Sequence, residues 1–342
     1  MDYNPKVSII IPTYNRAQYL GQAIKSALNQ DYPNKEIIVS DNASTDNTFE
    51  VVKQFMNYPE FKYFRNETNI GMVPNWRKAL YEYATGEYAI ILSDDDFFVD
   101  KSYISKAIKL FRENPTLGLV HANWIIWRQD KGCVLKTVYQ LPSIMDGREY
   151  FFNFELNYPN PSFCSVVFNI NLAKDVQAFS EEVAGSDTLL WFKMMLFADV
   201  GFVNDVVVVY RLHGKNTILN IPIQEHLQNL IVYTKPADIA NQIGFHNMLI
   251  ENWKERLVKN YIVNFLRIPD LLKVYNKYDI RLSQILKRVF KELIKYTIVF
   301  FIGYKNFYLV KESIYEKFYG KKLNYSVVRD KDYIAKLLSG GI

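Results

Sequence analysis

Cysteine is almost missing from this 342-residue chain: Cys133 and Cys164 are the only two, and their spacing is not that of a metal site. The N-terminus has no basic segment followed by a long apolar stretch, so the expected compartment is the cytoplasm. The apolar run 296–304 covers about nine residues, where crossing a bilayer takes about 20. Glycine is absent from the segment Pro12-Thr13-Tyr14-Asn15-Arg16 that follows the first apolar strand. What is present is ample core material. With 49% hydrophobic and 15% aromatic residues, the chain can bury one large domain plus an appendage.

The net charge of +5 hides an asymmetry. Residues 1–225 carry 21 Lys and Arg against 26 Asp and Glu, and the remainder 20 against 10, so the two parts face different partners. A basic C-terminal region can meet nucleic acid, anionic lipid or an acidic substrate, and charge alone does not choose among them.

Along the first half, short apolar runs alternate with helical spacing. Residues 7–11, 36–40, 61–64, 88–92 and 118–127 read as strands; Tyr19, Leu20, Ala23, Ile24, Ala27 and Leu28 recur at helical intervals, and further helices are expected over 48–56, 75–84 and 103–112. This order predicts an α/β fold with a mostly parallel sheet covered by helices on both faces. Ligands of such sheets bind beyond the carboxyl ends of the strands. The polar punctuation falls there: Pro12-Thr13-Tyr14-Asn15-Arg16, Asp41-Asn42-Ala43-Ser44-Thr45-Asp46 and Asp94-Asp95-Asp96 each follow a strand. Three adjacent carboxylates are costly unless a positive group neutralises them, and a divalent cation carrying a phosphate-bearing substrate would do so. The alternative is a solvated turn with an acidic helix start.

In order and spacing these motifs, with Gly86-Glu87-Tyr88 leading into the acidic run, resemble glycosyltransferase family 2, whose fold is the GT-A (Rossmann-like) type; the match covers roughly residues 5–217. The resemblance implies a nucleotide site lined by Pro12, Thr13, Tyr14 and Arg16, with Asp41 accepting a hydrogen bond from the base, strengthened by its charge. It implies Mn²⁺ or Mg²⁺ at Asp95 and Asp96, with Asp94 on the ribose or the metal; Ser93 stands where the family usually has its first acid. Asp46 is expected to cap a helix. The segment Ala184-Gly185-Ser186-Asp187 resembles the family's acidic pair before a Leu-Trp dipeptide, leaving Asp187 as the catalytic base or a helix cap. Tyr210-Arg211-Leu212-His213 resembles the family's Tyr-Arg-x-His, which places Arg211 at the diphosphate and His213 at the metal. Trp76-Arg77 replaces an Arg-Asn pair common in the family.

The expected domains are 1–220, the catalytic GT-A unit, and 221–342, a basic and mainly helical region. Helices are expected over 224–232 and 246–266, and Leu282, Ile285, Leu286, Val289, Phe290, Leu293 and Ile294 make one apolar stripe with Arg281, Lys287, Arg288, Lys291 and Lys295 on the other faces. Segment 281–304 suits a membrane interface, or packing on the catalytic domain or a second copy in a homo-oligomer. The implied activity is inverting transfer from a nucleotide-sugar donor, a UDP-sugar first of all, to a glycan or lipid-linked acceptor in cell-surface polysaccharide assembly, in the cytoplasm or peripherally on the inner face of the plasma membrane. The alternatives are a nucleotidyltransferase, against which the glycine-free first loop argues, and a non-catalytic scaffold. Nucleic acid is not an expected partner.

Overall fold

The computed structural model describes residues 4–129, 133–213, 222–266, 277, 278, 280, 281, 283–285 and 325–328. Strands and helices alternate as β1 (Val7–Thr13), α1 (Ala17–Leu28), β2 (Lys35–Asp41), α2 (Thr48–Lys53), β3 (Phe61–Arg65), α3 (Met72–Lys78), β4 (Tyr88–Ile91), β5 (Phe97–Phe98), α4 (Tyr103–Glu113) and β6 (Leu117–Arg128). There follow β7 (Cys133–Thr137), β8 (Ile144–Met145), α5 (Gly147–Phe152), β9 (Val167–Asn169), α6 (Ile170–Asp175), α7 (Ser186–Met195) and β10 (Asp199–Leu212). Helices α8 (Ile223–Gln228), α9 (Ile231–Gln242) and α10 (Asn247–Phe265) and strand β11 (Tyr325–Val328) complete the described chain.

One sheet runs in the order β11-β7-β6-β9-β4-β1-β2-β3, with β10 attached to β6, β5 and β8. Pairs β3-β2, β2-β1, β1-β4 and β6-β10 are parallel, while β9 inserts antiparallel between β4 and β6. Burial on both faces explains the unbroken apolar runs. Val7, Ile9 and Ile11 join one core cluster with Leu20, Ala23 and Ile24 of α1 and Ile104, Ala107 and Ile108 of α4; Ile10, Ile38 and Ile91 join the other, under α5 and α7.

Two helices depart from expectation. The segment expected as a helix over 75–84 starts at Met72, since Pro74 is tolerated in a first turn, and ends in a π turn over Ala79–Tyr83 that stacks Tyr83 on Phe64 at 4.0 Å. The expected helix 224–232 breaks at Asn229 and Leu230 into α8 and α9. Leu230 at the break and Tyr233, Ala237, Ile250, Trp253 and Leu257 of the C-terminal helices are buried in the same cluster as α5 and α7. The Trp253 indole N–H donates to Phe151 O at 2.7 Å, and Arg256 donates to the carbonyls of Phe152 and Phe154. Of segment 281–304, residues 281 and 283–285 are described, with Ile285 buried in that cluster; the rest of the segment, with the membrane and second-copy expectations attached to it, lies outside the described residues. Among the described residues no helix is long and apolar enough to cross a membrane.

Gly147 opens α5 where a Cβ would collide with the carbonyl oxygens of Ala198 and Met195. Gly147→Ala should therefore lower stability by about 3 kcal/mol, read as a lower urea midpoint at unchanged slope.

Candidate active site

The carboxyl ends of β1, β2 and β4 open into a cleft of about 660 Å³. The loops after β1 and β2 are cross-tied. Asn15, at φ 53°, donates its N–H to Ser44 Oγ, and its side-chain oxygen accepts from Thr45 N; Asp46 accepts from the N–H groups of both Ala17 and Thr48, holding the first turns of α1 and α2. Asp46 thus satisfies a first-turn N–H of both helices, although the N-cap positions are Arg16 and Asn47. Its carboxyl is held below the usual range because hydrogen bonds from Thr48 and Ala17 outweigh burial.

Pro12, Thr13, Tyr14, Arg16, Asp94, Asp95 and Asp187 all line the cleft. Thr13 Oγ1 donates to Asp94 Oδ2 at 2.7 Å. Burial, then the adjacent charge of Asp95, push the Asp94 carboxyl up to about 7. Asp95 Oδ2 lies 2.9 Å from His213 Nε2 and 4.0 Å from the Arg16 guanidinium, and the His213 ring stacks on Tyr19.

Asp187 sits in the first turn of α7, just inside the N-cap Gly185, half-buried on the cleft wall. Burial pushes its carboxyl up to about 6. The preceding loop is stapled: Ser186 Oγ donates to the carbonyls of Glu181 and Val183, Lys235 pairs with Glu181, and Gly185 N donates to Asn229 Oδ1 at 3.2 Å. The break between α8 and α9 thus positions the start of α7.

Three expected site residues face elsewhere. Asp96, 1% exposed, has Oδ1 taken by the Arg211 N–H and Oδ2 by the Cys164 thiol, both at 2.8 Å; it tethers the acidic loop to β10 instead of opening to the cleft. Arg211 donates from Nε to Asp95 O and from its terminal nitrogen to Gln22 Oε1, its guanidinium lying between Tyr19 and Trp127 at 4.7 and 4.8 Å. Asp41 is 1% exposed, accepting from Ser44 N and the Tyr63 hydroxyl, with Arg65 at 3.5 Å; its neighbour Asn42, also buried, lines the cleft.

Residues 8–170 match the family described as Glycosyl transferase family 2. The chain is 30% identical over 217 residues to the GalNAc(5)-diNAcBac-PP-undecaprenol beta-1,3-glucosyltransferase of Campylobacter jejuni, covering 63% of this chain and 67% of that one. The chain belongs to glycosyltransferase family 2. It is also 25% identical over 287 residues to the poly-beta-1,6-N-acetyl-D-glucosamine synthase of Staphylococcus epidermidis, spanning 79% of this chain and 62% of the relative. Two solved structures share the fold: Staphylococcus aureus TarS 1–349 in complex with UDP-GlcNAc (TM-score 0.61, 18% identity, 83% of this chain and 79% of that one) and the mannosyltransferase PcManGT from Pyrobaculum calidifontis in complex with GDP-Man and Mn²⁺ (0.56, 17%, 94% and 89%).

For a family 2 glycosyltransferase the question of a metal turns on donor atoms. Among the described residues no group of three His, Cys, Asp or Glu forms a cage. Asp95 Oδ2 and His213 Nε2 stand 2.9 Å apart beside the cleft in a hydrogen bond, with Arg16 Nη1 2.8 Å from the same His213 nitrogen, so an octahedral ion bound at about 2.1 Å would replace these contacts. Such an ion is commonly held by one or two protein groups plus phosphate oxygens and water, so this pair fits it once the Arg16 guanidinium moves off His213 Nε2.

Several cleft residues are assigned no role by the sequence. Asn42 and Asn69 hold the turn at Gly71: Asn42 Nδ2 donates to Asn69 Oδ1 and Gly71 O, and Ile70 N donates back to Asn42 Oδ1. Trp76 and Phe163, 4.8 Å apart, form one apolar wall, and Trp124, Ile126 and Tyr210 another. Phe151 and Phe154 fill the core, while Arg77 is exposed on its helix and does not line the cleft. A run of Asn42, Asn66, Asn69 and Asn75 was the available signal for the turn; nothing in the periodicity of β6 or β10 separates a cleft-facing side chain from a core one.

Proposed function

We propose that the protein transfers a sugar from a nucleoside-diphosphate donor, a UDP-sugar first of all, to a hydroxyl of a glycan or lipid-linked acceptor, with inversion. The observation that carries the reading is one cleft holding a carboxylate pushed up to about 6, Asp187, together with the Asp94-Asp95 pair at the end of β4. Thr13, Tyr14 and Arg16 bound the donor end, where Arg16 supplies positive charge beside Asp95 for the diphosphate.

The acceptor hydroxyl oxygen attacks the anomeric carbon, its proton passing to the Asp187 carboxylate as the carbon–oxygen bond to the diphosphate breaks and the electron pair leaves with the nucleotide. A single displacement by one base, with no enzyme nucleophile between, inverts the anomeric centre. Bound at Asp95 and His213, Mn²⁺ or Mg²⁺ would offset negative charge on the leaving diphosphate. Asp96 and Arg211 act through these groups, since their hydrogen bonds fix the main chain at Asp95 and the approach of β10. The polysaccharide and lipid-linked acceptors of the Campylobacter and Staphylococcus relatives support a cell-surface glycan acceptor.

Isothermal titration of the purified chain with UDP, GDP and CDP, with and without Mn²⁺, followed by UDP release from a panel of UDP-sugars, tests the reading. UDP should bind most tightly, and more tightly with Mn²⁺. A chain that binds none of the three is no transferase of this kind, which is the outcome the scaffold alternative requires.

A further inference from the structure

One wall of the cleft is built by two parallel strands, β6 and β10. In their register Trp124 of β6 lies beside Val208 of β10, and Ile126 beside Tyr210. The intervening residues Ile125 and Val209 are buried in a small core with Phe97 and Val134, so the two-residue period turns Trp124, Ile126 and Tyr210 to the other face. All three are half-buried and line the cleft in company with Asn160, Ser162 and Asp187. The Tyr210 hydroxyl has no protein hydrogen-bond partner among the described residues.

We infer that Trp124, Ile126 and Tyr210 form the acceptor subsite, and that it takes the terminal ring of a neutral pyranoside rather than a phosphate-bearing or uronic-acid acceptor. The inference rests on the transferase reading above. A pyranose presents an apolar C–H face and a rim of hydroxyls. The Trp124 ring and Ile126 side chain match the face, and the Tyr210 hydroxyl, Asn160 and Ser162 offer hydrogen bonds to the rim.

Charge sets the class of sugar. Among the described residues that line the cleft the acids are Asp94, Asp95 and Asp187, and the one cation is Arg16, which stands at the donor end beside Asp95. A phosphate or carboxylate on the acceptor would therefore approach the Asp187 carboxylate with no compensating cation among the described residues, a like-charge contact that a neutral ring avoids. Aromatic stacking discriminates by shape and leaves the choice among neutral hexoses to the rim contacts.

The experiment measures UDP release from the best UDP-sugar of the panel when octyl glucoside, galactoside, N-acetylglucosaminide and N-acetylgalactosaminide are compared with octyl glucuronide and ribitol 5-phosphate. At least one neutral pyranoside should stimulate release, and neither anionic compound should. Trp124→Ala should raise the KM for that pyranoside about tenfold, the loss of roughly one good contact, with Trp124→Phe within about threefold of the native chain. UDP affinity, titrated in parallel, should stay within about twofold in both variants. Stimulation by an anionic acceptor, failure of every neutral pyranoside, or an unchanged KM in Trp124→Ala overturns the subsite while UDP binding stands. Absence of UDP binding in the native chain overturns the transferase reading and the subsite with it.

Discussion

Asp187→Asn is expected to bind UDP as the native chain does and to transfer sugar about 10²–10⁴-fold more slowly, the range over which a positioned general base contributes. The amide keeps the size and hydrogen-bonding reach of the carboxylate but cannot take the proton. In the native chain kcat/KM should rise with pH through about 6, because that is where burial has moved the Asp187 carboxyl and only its ionised form is a base.

Stability separates this role from helix capping. The folded-state pKa of Asp187 lies above the 3.8 of an unperturbed aspartate, so its contribution to stability is complete below pH 3.8 and is lost as pH rises through about 6. Above that, the fold carries a half-buried ionised group, and the amide relieves it. Discounted for solvent, the gain is about 1 kcal/mol, so urea midpoints should be higher for Asp187→Asn at about pH 7.5 and equal at about pH 3.5. A first-turn carboxylate acting only on the helix dipole predicts the reverse, a loss of about 0.5 kcal/mol at neutral pH. A variant that is less stable near pH 7.5 and fully active would remove Asp187 from the chemistry.

What the sequence made legible follows from local rules. The strand ends at Thr13, Asp41 and Ile91 were readable to within two residues because apolar runs covered on both faces stop where polar loops begin. Convergence of those ends was readable from the parallel order alone. The direction each side chain takes was not. Asp94, Asp95 and Asp96 are equivalent in sequence, yet two face the cleft and the third is turned inward by Cys164 and Arg211, partners 68 and 115 residues away. Asp41 is drawn in by Tyr63 and Arg65 on the neighbouring strand β3, while the buried Asn42 beside it lines the cleft.

The C-terminal helices show the same limit from the other side. Their periodicity announces an apolar face without saying what it covers. That Asn229 would hold Gly185, and so the turn that presents Asp187, depends on a break between α8 and α9 that a continuous helical pattern conceals. The cleft-facing placement of Trp124 and Ile126, which belong to no motif, needed the strands to be paired.

Asp95→Asn should lower transfer by about 10³-fold or more and abolish the gain in UDP affinity on adding Mn²⁺, while leaving the metal-free fold as stable or slightly more so. The asymmetry follows from charge. Asp94 and Asp95 stand side by side, each 9% exposed, and the charge of Asp95 is one reason the Asp94 carboxyl is pushed up to about 7. Removing one member of that pair relieves repulsion in the nucleotide-free protein, where Arg16 at 4.0 Å compensates it only in part. With nucleotide bound the balance inverts. The diphosphate brings further negative charge to the same place, and an amide in place of the Asp95 carboxylate would offer an ion neither a formal charge nor an anionic oxygen beside His213 Nε2. Calorimetric UDP titrations with and without Mn²⁺, set beside thermal unfolding of both chains, check the two halves together. A variant that retains the Mn²⁺ response would move the ion away from Asp95, and one that is strongly destabilised without metal would make the carboxylate a structural group held by Arg16 and His213.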